Sequence, residues 1–135
     1  MKTTKNKILV VDDEPDISKL IQFTLERRGF EVILASDGQT AIDIAKKELP
    51  DLILLDVIMP VINGYEVCRQ LRDIPETKKI PIIMLSGKTQ KTEVEKGIEL
   101  GAHSYICKPF SPKEFANVVE DVLYNKKREV NDYDR

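Results

Sequence analysis

Five short apolar runs punctuate the chain: Ile8–Val11, Val32–Ala35, Leu52–Leu55, Ile82–Leu85 and Tyr105–Cys107. The first, third and fourth are continuous rather than alternating. Strands covered on both faces read that way, so a parallel sheet with helices on each side is predicted. Helical patterns fill the intervals. Ile17, Leu20, Ile21, Thr24 and Leu25 recur at i, i+3, i+4, i+7, i+8 after Pro15, a residue suited to a first helical turn, and Gly29 stops the pattern. Ala41, Ile42 and Ala45 mark a second helix that ends before Pro50; Val67, Cys68 and Leu71 mark a third after the Asn63-Gly64 turn. Val94 and Ile98 mark a weaker fourth, closed by Gly101. The fifth opens on a capping box, Ser111-Pro112-Lys113-Glu114, and continues as an apolar stripe of Phe115, Val118, Val119, Val122 and Leu123. Strand and helix alternate five times, which forces right-handed crossovers and a doubly wound α/β sheet. From Lys126 the sequence loses its apolar face, so residues 126–135 read as a frayed end or the start of a linker.

Composition narrows the function classes. The 135 residues, 41% hydrophobic and 33% charged, fit one soluble domain with a core of its own. A net charge of −2 gives no general attraction for nucleic acid or an anionic membrane. The longest apolar runs fall far short of the roughly 20 residues a membrane span needs. No apolar stretch follows the polar Met1–Lys7 segment, so it is not a secretory signal. Cys68 and Cys107 lack metal-ligand spacing and read as small apolar fillers in a reducing cytoplasm. Phe23, Phe30, Tyr65 and Phe115 read as core, His103 as an exposed turn residue, and the lysines at 78, 79, 88, 91 and 96 as a solvated face.

The candidate chemistry follows from the sheet. In open α/β sheets, ligands bind outside the carboxyl ends of the strands. Asp12, Asp13 and Glu14 follow the first run, Asp56 the third, Ser86 the fourth and Lys108 the fifth. Taken alone, Asp12 and Asp13 could cap the helix that begins at Pro15. With Asp56 on a neighbouring strand, the crowded carboxylates instead call for a hard divalent cation. Beside such an ion Asp56 can serve as a nucleophile for a phosphoryl group, with Lys108 and the Ser86 hydroxyl as partners for its oxygens.

Val10-Val11-Asp12-Asp13-Glu14, Leu55-Asp56-Val57-Ile58-Met59-Pro60, Asn63-Gly64, Leu85-Ser86-Gly87 and Ala102-His103-Ser104-Tyr105-Ile106-Cys107-Lys108-Pro109-Phe110 together resemble the receiver domain family of two-component response regulators. The resemblance covers residues 6–125. It implies a flavodoxin-like (βα)5 sandwich, its five parallel strands in the order 2-1-3-4-5 with helices on both faces. It further implies that Asp56 is the phosphoacceptor. Asp13 would bind Mg²⁺ directly, Asp12 mostly through water, and Asp56 and the backbone carbonyl of Ile58 would complete the protein ligands. Lys108 would contact the phosphoryl group ahead of a cis bond to Pro109, and Gly87 would turn its N–H toward the same group. Ser86 would move toward the phosphoryl group and Tyr105 would turn inward behind it, altering the surface of helix four, strand five and helix five. By the same resemblance, Ile58 and Lys88 would occupy positions that tune phosphoryl loss. An apolar Ile58 cannot orient an attacking water, which implies a long-lived phosphorylated state.

Rival readings fit less well. An FMN carrier needs a Ser/Thr/Gly phosphate loop where this chain has Asp-Asp-Glu. A phosphatase of the haloacid dehalogenase type would carry an Asp-x-Asp nucleophile on the first strand. A dinucleotide site lacks its Gly-x-Gly-x-x-Gly. A pseudo-receiver that binds partners without phosphorylation would not need the full set of Asp12, Asp13, Asp56, Ser86 and Lys108. The expected partners are a histidine kinase or phosphotransfer protein and a downstream effector, with a homodimer on phosphorylation as a family-level option and no direct nucleic-acid or membrane contact. The expectation is either a stand-alone receiver or a piece of a longer regulator.

Overall fold

The computed structural model describes residues 6–59, 61–87, 91–108 and 110–127, the side chains of 91–94 and 125–127 excepted. Ten elements alternate: β1 (Lys7–Val11), α1 (Pro15–Arg27), β2 (Glu31–Ala35), α2 (Gly38–Glu48), β3 (Leu52–Asp56), α3 (Gly64–Asp73), β4 (Ile82–Ser86), α4 (Lys91–Glu99), β5 (Ser104–Cys107) and α5 (Pro112–Lys127). All strand pairs are parallel and their order is β2-β1-β3-β4-β5, as expected.

Alternation of side chains along each strand builds two cores from one sheet. Leu9, Val11, Ile53, Leu55, Ile82 and Met84 face α2 and α3 residues such as Ala41, Ala45, Val67 and Leu71. Ile8, Val10, Leu52, Leu54, Ile83 and Leu85 face the other way, toward Ile21 and Leu25 of α1 and Phe115 and Val119 of α5. β1, β3 and β4 are buried almost throughout, because both their faces are covered. The register then aligns their ends: Val11 lies beside Ala35 and Leu55, Asp56 beside Leu85, and Ser86 beside Cys107. The residues at and just beyond the strand ends therefore emerge along one rim.

Side-chain caps open α2, α3 and α5, the last of them the expected box. Asp37 Oδ1 accepts from the Thr40 N–H at 2.8 Å, and Asn63 Oδ1 accepts from the Glu66 N–H at 3.0 Å. In the Ser111 box, Glu114 N–H donates to Ser111 Oγ at 3.1 Å while Ser111 N–H donates to Glu114 Oε1 at 3.2 Å. Gly29 takes φ +92° after α1, a left-handed turn that suits glycine.

Several apolar positions differ from expectation. Phe23 is not core but 59% exposed, with the Arg27 guanidinium 5.4 Å from its ring centre. The stripe that α1 buries is Ser18, Ile21 and Leu25, and Ser18 Oγ donates to the Asp12 carbonyl. This rotation places Leu20 and Phe23 outside the seam. Ile98 of α4 is likewise exposed. Cys68 is a buried filler as expected, but Cys107 is exposed, because it ends a four-residue edge strand. Among the described residues, no helix is long and apolar enough to cross a membrane.

Candidate functional site

The rim brings the sequence-selected residues together. Asp12 comes directly after β1 and is buried; its Oδ1 accepts from the Glu14 N–H at 2.9 Å, an Asx turn that bends the chain into α1. Neither Asp12 nor Asp13 caps the helix: the N-cap is Glu14, without a side-chain bond. Asp56 closes β3, also buried, and its Oδ1 accepts from the Ile58 N–H at 3.3 Å. Asp13 is exposed, yet one carboxylate oxygen from each of Asp12, Asp13 and Asp56 lies within 4.8 Å of the others.

Lys108 reaches this cluster from the end of β5. Its Nζ stands 3.3 Å from Asp12 Oδ2, 3.3 Å from Glu14 Oε1 and 3.6 Å from Asp56 Oδ2. The backbone directs it there, since the Lys108 N–H donates to the Ser86 carbonyl at 2.8 Å and so ties the ends of β4 and β5. Ser86 is almost fully buried at the end of β4. Asp13, Glu14, Asp56, Ile58, Gly87 and Lys108 line a cleft of about 350 Å³. Tyr105 is half-buried on β5, in register with Met84. His103 is exposed. Lys88 and the expected cis bond to Pro109 lie outside the described residues.

The electrostatics are unbalanced. Three aspartates against one lysine leave a formal −2, and Glu14 adds to it. Burial pushes the Asp56 carboxyl up from 3.8 to about 6. The charge of Asp12 adds to this, Lys108 and the Ile58 N–H work against it, and Asp13 adds again. Burial opposes the charge on Lys108, but Asp56 and Asp12 outweigh it and raise the ammonium above its ordinary value. Among the described residues, Lys108 alone thus leaves the cluster short of positive charge. Hard oxygen donors converging on one point, with unneutralised charge, fit a small divalent cation.

Two backbone features shape the loop after β3. Gly64 packs directly beneath it: a Cβ there would stand 2.8 Å from Val57 Cα, and the Gly64 N–H donates to the Val57 carbonyl at 2.8 Å. Val61, fully exposed, has φ +68°, a left-handed conformation unusual for a β-branched residue. Sequence reasoning missed Val61 as a strained position, and it missed Glu14 as a partner of Lys108. The run Asp12-Asp13-Glu14 carried a signal for Glu14, because a third acid comes straight after the pair.

Comparison with known proteins agrees with this geometry. The response regulator receiver domain family matches residues 8–120. The chain belongs to that family. This receiver is 50% identical over 117 residues to the alkaline phosphatase synthesis transcriptional regulatory protein PhoP of Bacillus subtilis, an alignment of 87% of this chain and 48% of that protein. It is 41% identical over 114 residues to the DNA-binding response regulator MtrA of Mycolicibacterium smegmatis, covering 84% and 49%. The receiver spans about half the length of the curated relatives it matches. Among solved structures, chemotaxis protein CheY4 of Vibrio cholerae superposes with a TM-score of 0.85 at 34% identity, covering 88% of this chain and 99% of that one. The receiver domain of sensor histidine kinase PA1611 from Pseudomonas aeruginosa has a magnesium ion in its active-site cleft. It superposes with a TM-score of 0.82 at 29% identity, covering 89% and 98%. The receiver is therefore a phosphorylation-dependent signalling domain of the two-component type.

Proposed function

We propose that Asp56 is the phosphoacceptor of this receiver and that the domain promotes its own phosphorylation and dephosphorylation. The observation that carries this reading is the placement of Asp56: a buried carboxylate at the sheet's rim, with two further aspartates and one lysine converging on it. A carboxylate oxygen of Asp56 attacks phosphorus. The P–N bond of a phosphohistidine, or the P–O bond of a small acyl phosphate, breaks and its electron pair leaves with the donor. The product is an aspartyl phosphate. Asp12, Asp13, Asp56 and the Ile58 backbone carbonyl would hold Mg²⁺. When bound, the ion neutralises the carboxylates and the developing charge on the phosphoryl oxygens.

The chain's own residues do the rest. Lys108 exchanges its Asp56 contact for a phosphoryl oxygen, the Ser86 hydroxyl and the Gly87 N–H donate to others, and Tyr105 moves inward behind them. The altered surface of α4, β5 and α5 then meets an effector or a second copy of the domain. Loss of the phosphoryl group needs an oriented water, and the exposed, apolar Ile58 side chain at the cleft's mouth offers that water no partner. We take residues 6–125 as the receiver unit and 126–135 as its polar tail or the start of a linker. The phosphodonor is a histidine kinase or phosphotransfer protein. The effector is a transcription-regulating activity of the kind named for the relatives, which would bring nucleic acid to the effector and leaves the receiver's own surface without a direct nucleic-acid contact.

Borohydride trapping tests the assignment. Reduction of the aspartyl phosphate converts that residue to homoserine, and peptide mapping places the conversion at position 56. Conversion at Asp12 or Asp13 instead would contradict it.

A further inference from the structure

α4 is a nine-residue helix with a glycine, Gly97, inside it, and a helix this short is marginal on its own. Its C-terminal end is nonetheless tightly held. The Gly101 N–H donates to the Ile98 carbonyl and the Ala102 N–H to the Gly97 carbonyl, a Schellman turn with Gly101 at φ +104°. That turn leaves the Leu100 and Gly101 carbonyls without helical partners, and α3 supplies them. Cys68 Sγ donates to the Leu100 carbonyl at 3.3 Å. One turn further along α3, Arg72 donates to the Gly101 carbonyl from Nε at 3.1 Å and from Nη2 at 2.8 Å.

The same guanidinium donates from Nη1 to the carbonyls of Lys78 at 2.9 Å and Thr77 at 3.3 Å, in the turn after α3. Arg72 thus binds main-chain oxygens of two separate segments, and no carboxylate of the described residues pairs with it. Burial lowers its pKa, so the fold holds the cation there against a desolvation cost. The fit is close: a Cβ on Gly101 would stand 2.7 Å from Arg72 Nε. One turn back along α4, Gly97 lies over the Tyr105 ring, at distances that would leave a Cβ in ordinary contact with it, 3.4 Å from Cε2 and 3.5 Å from Cδ2.

From these contacts we propose that Arg72 is the fixed pivot of α4. The helix reorients about the clamped Leu100–Gly101 end, and the bare Gly97 backbone over Tyr105 is where movement of the ring reaches it. Arg72 is a positioning residue; it touches neither Asp56 nor the phosphoryl group. The coupling to phosphorylation rests on the reading of Asp56 given above, whereas the clamp itself does not.

The test is amide hydrogen exchange on the full chain, unloaded and loaded with beryllofluoride and Mg²⁺, for wild type and Arg72→Met, which keeps the side-chain length without its donors. In the unloaded Arg72→Met protein, residues 95–103 should exchange roughly tenfold faster, the loss of about one charged hydrogen bond, while β1 and β3 keep their protection. Beryllofluoride should still bind, but its change in α4–β5 protection should be lost. Unchanged exchange in 95–103, or an equal rise in β1 and β3, overturns the pivot, as does a full loaded response in Arg72→Met. If Arg72→Met does not fold, Arg72→Lys is read on the same segments and should show the same pattern more weakly; no difference from wild type overturns the pivot. If wild type takes up no beryllofluoride, the Asp56 reading fails while the unloaded comparison still decides the clamp.

Discussion

At the scale of single residues, the burial of Asp56 costs the fold stability wherever its carboxyl is charged. The Asp56 carboxyl titrates near 6 in the fold and near 3.8 when unfolded. Between those values the native state holds a proton that the unfolded chain has released, so stability falls as pH rises through that window. Above it the full cost, at most about 3 kcal/mol for two pKa units, is present. Asp56→Asn should therefore stabilise the metal-free protein at pH 7 by about 1–3 kcal/mol, with the gain vanishing near pH 4. Urea unfolding at both pH values in the presence of chelator checks this; a destabilised Asn variant at pH 7 contradicts the electrostatic account. Lys108 has the opposite sign. Lys108→Ala removes the cation that, among the described residues, faces Asp12, Glu14 and Asp56, and should lower metal-free stability while slowing phosphorylation. If Asp56 is phosphorylated as proposed, the apolar Ile58 should prolong that state: we expect minutes or longer for the wild type and a shorter value for Ile58→Asn, which can orient water. A wild-type half-life of seconds would contradict this.

At the scale of elements, the loop after β3 fixes where Asp56 points. Gly64→Ala would drive a methyl into the main chain at Val57 and should destabilise the fold by about 2–4 kcal/mol, with loss of Mg²⁺ binding. Val61→Gly should do the reverse, because glycine accepts φ +68° freely; a gain of about 1 kcal/mol is expected from relief of the left-handed strain. Chemical denaturation of the two variants checks both signs. These elements also show what the sequence could reveal. β1, β3 and β4 were legible because double burial writes a continuous apolar run, and α5 because its capping box and stripe agree. Asp12, Asp13, Asp56, Ser86 and Lys108 were legible because each lies at or just after the end of an apolar run. Phe23 was misread because two apolar arcs overlap on α1, and Ser18, a polar residue bonded to the Asp12 carbonyl, occupies the true seam. Arg72 was invisible because its partners are main-chain carbonyls, which leave no trace in side-chain pattern. Val61 was invisible because its φ is set by the loop around it rather than by its own preference.

For the whole molecule, the sheet carries the candidate site along one rim, at the carboxyl ends of its strands. Two cores fix the strand ends, and the excess negative charge at those ends is what a divalent ion would relieve. Mg²⁺ should therefore raise the unfolding midpoint, by an amount equivalent to about 2.7 kcal/mol at a hundredfold excess over its dissociation constant. Asp13→Asn should remove most of that gain while leaving the metal-free protein folded, since Asp13 is exposed. Equal stabilisation of both proteins would place the ion elsewhere.

The central claim, that Asp56 accepts a phosphoryl group with help from the metal, is met most directly by intact mass spectrometry after incubation with acetyl phosphate. The account predicts a gain of one phosphoryl mass in the wild-type protein with Mg²⁺, and none without Mg²⁺ or in Asp56→Asn. No gain in a folded, Mg²⁺-binding wild-type protein, or an equal gain in Asp56→Asn, would contradict it.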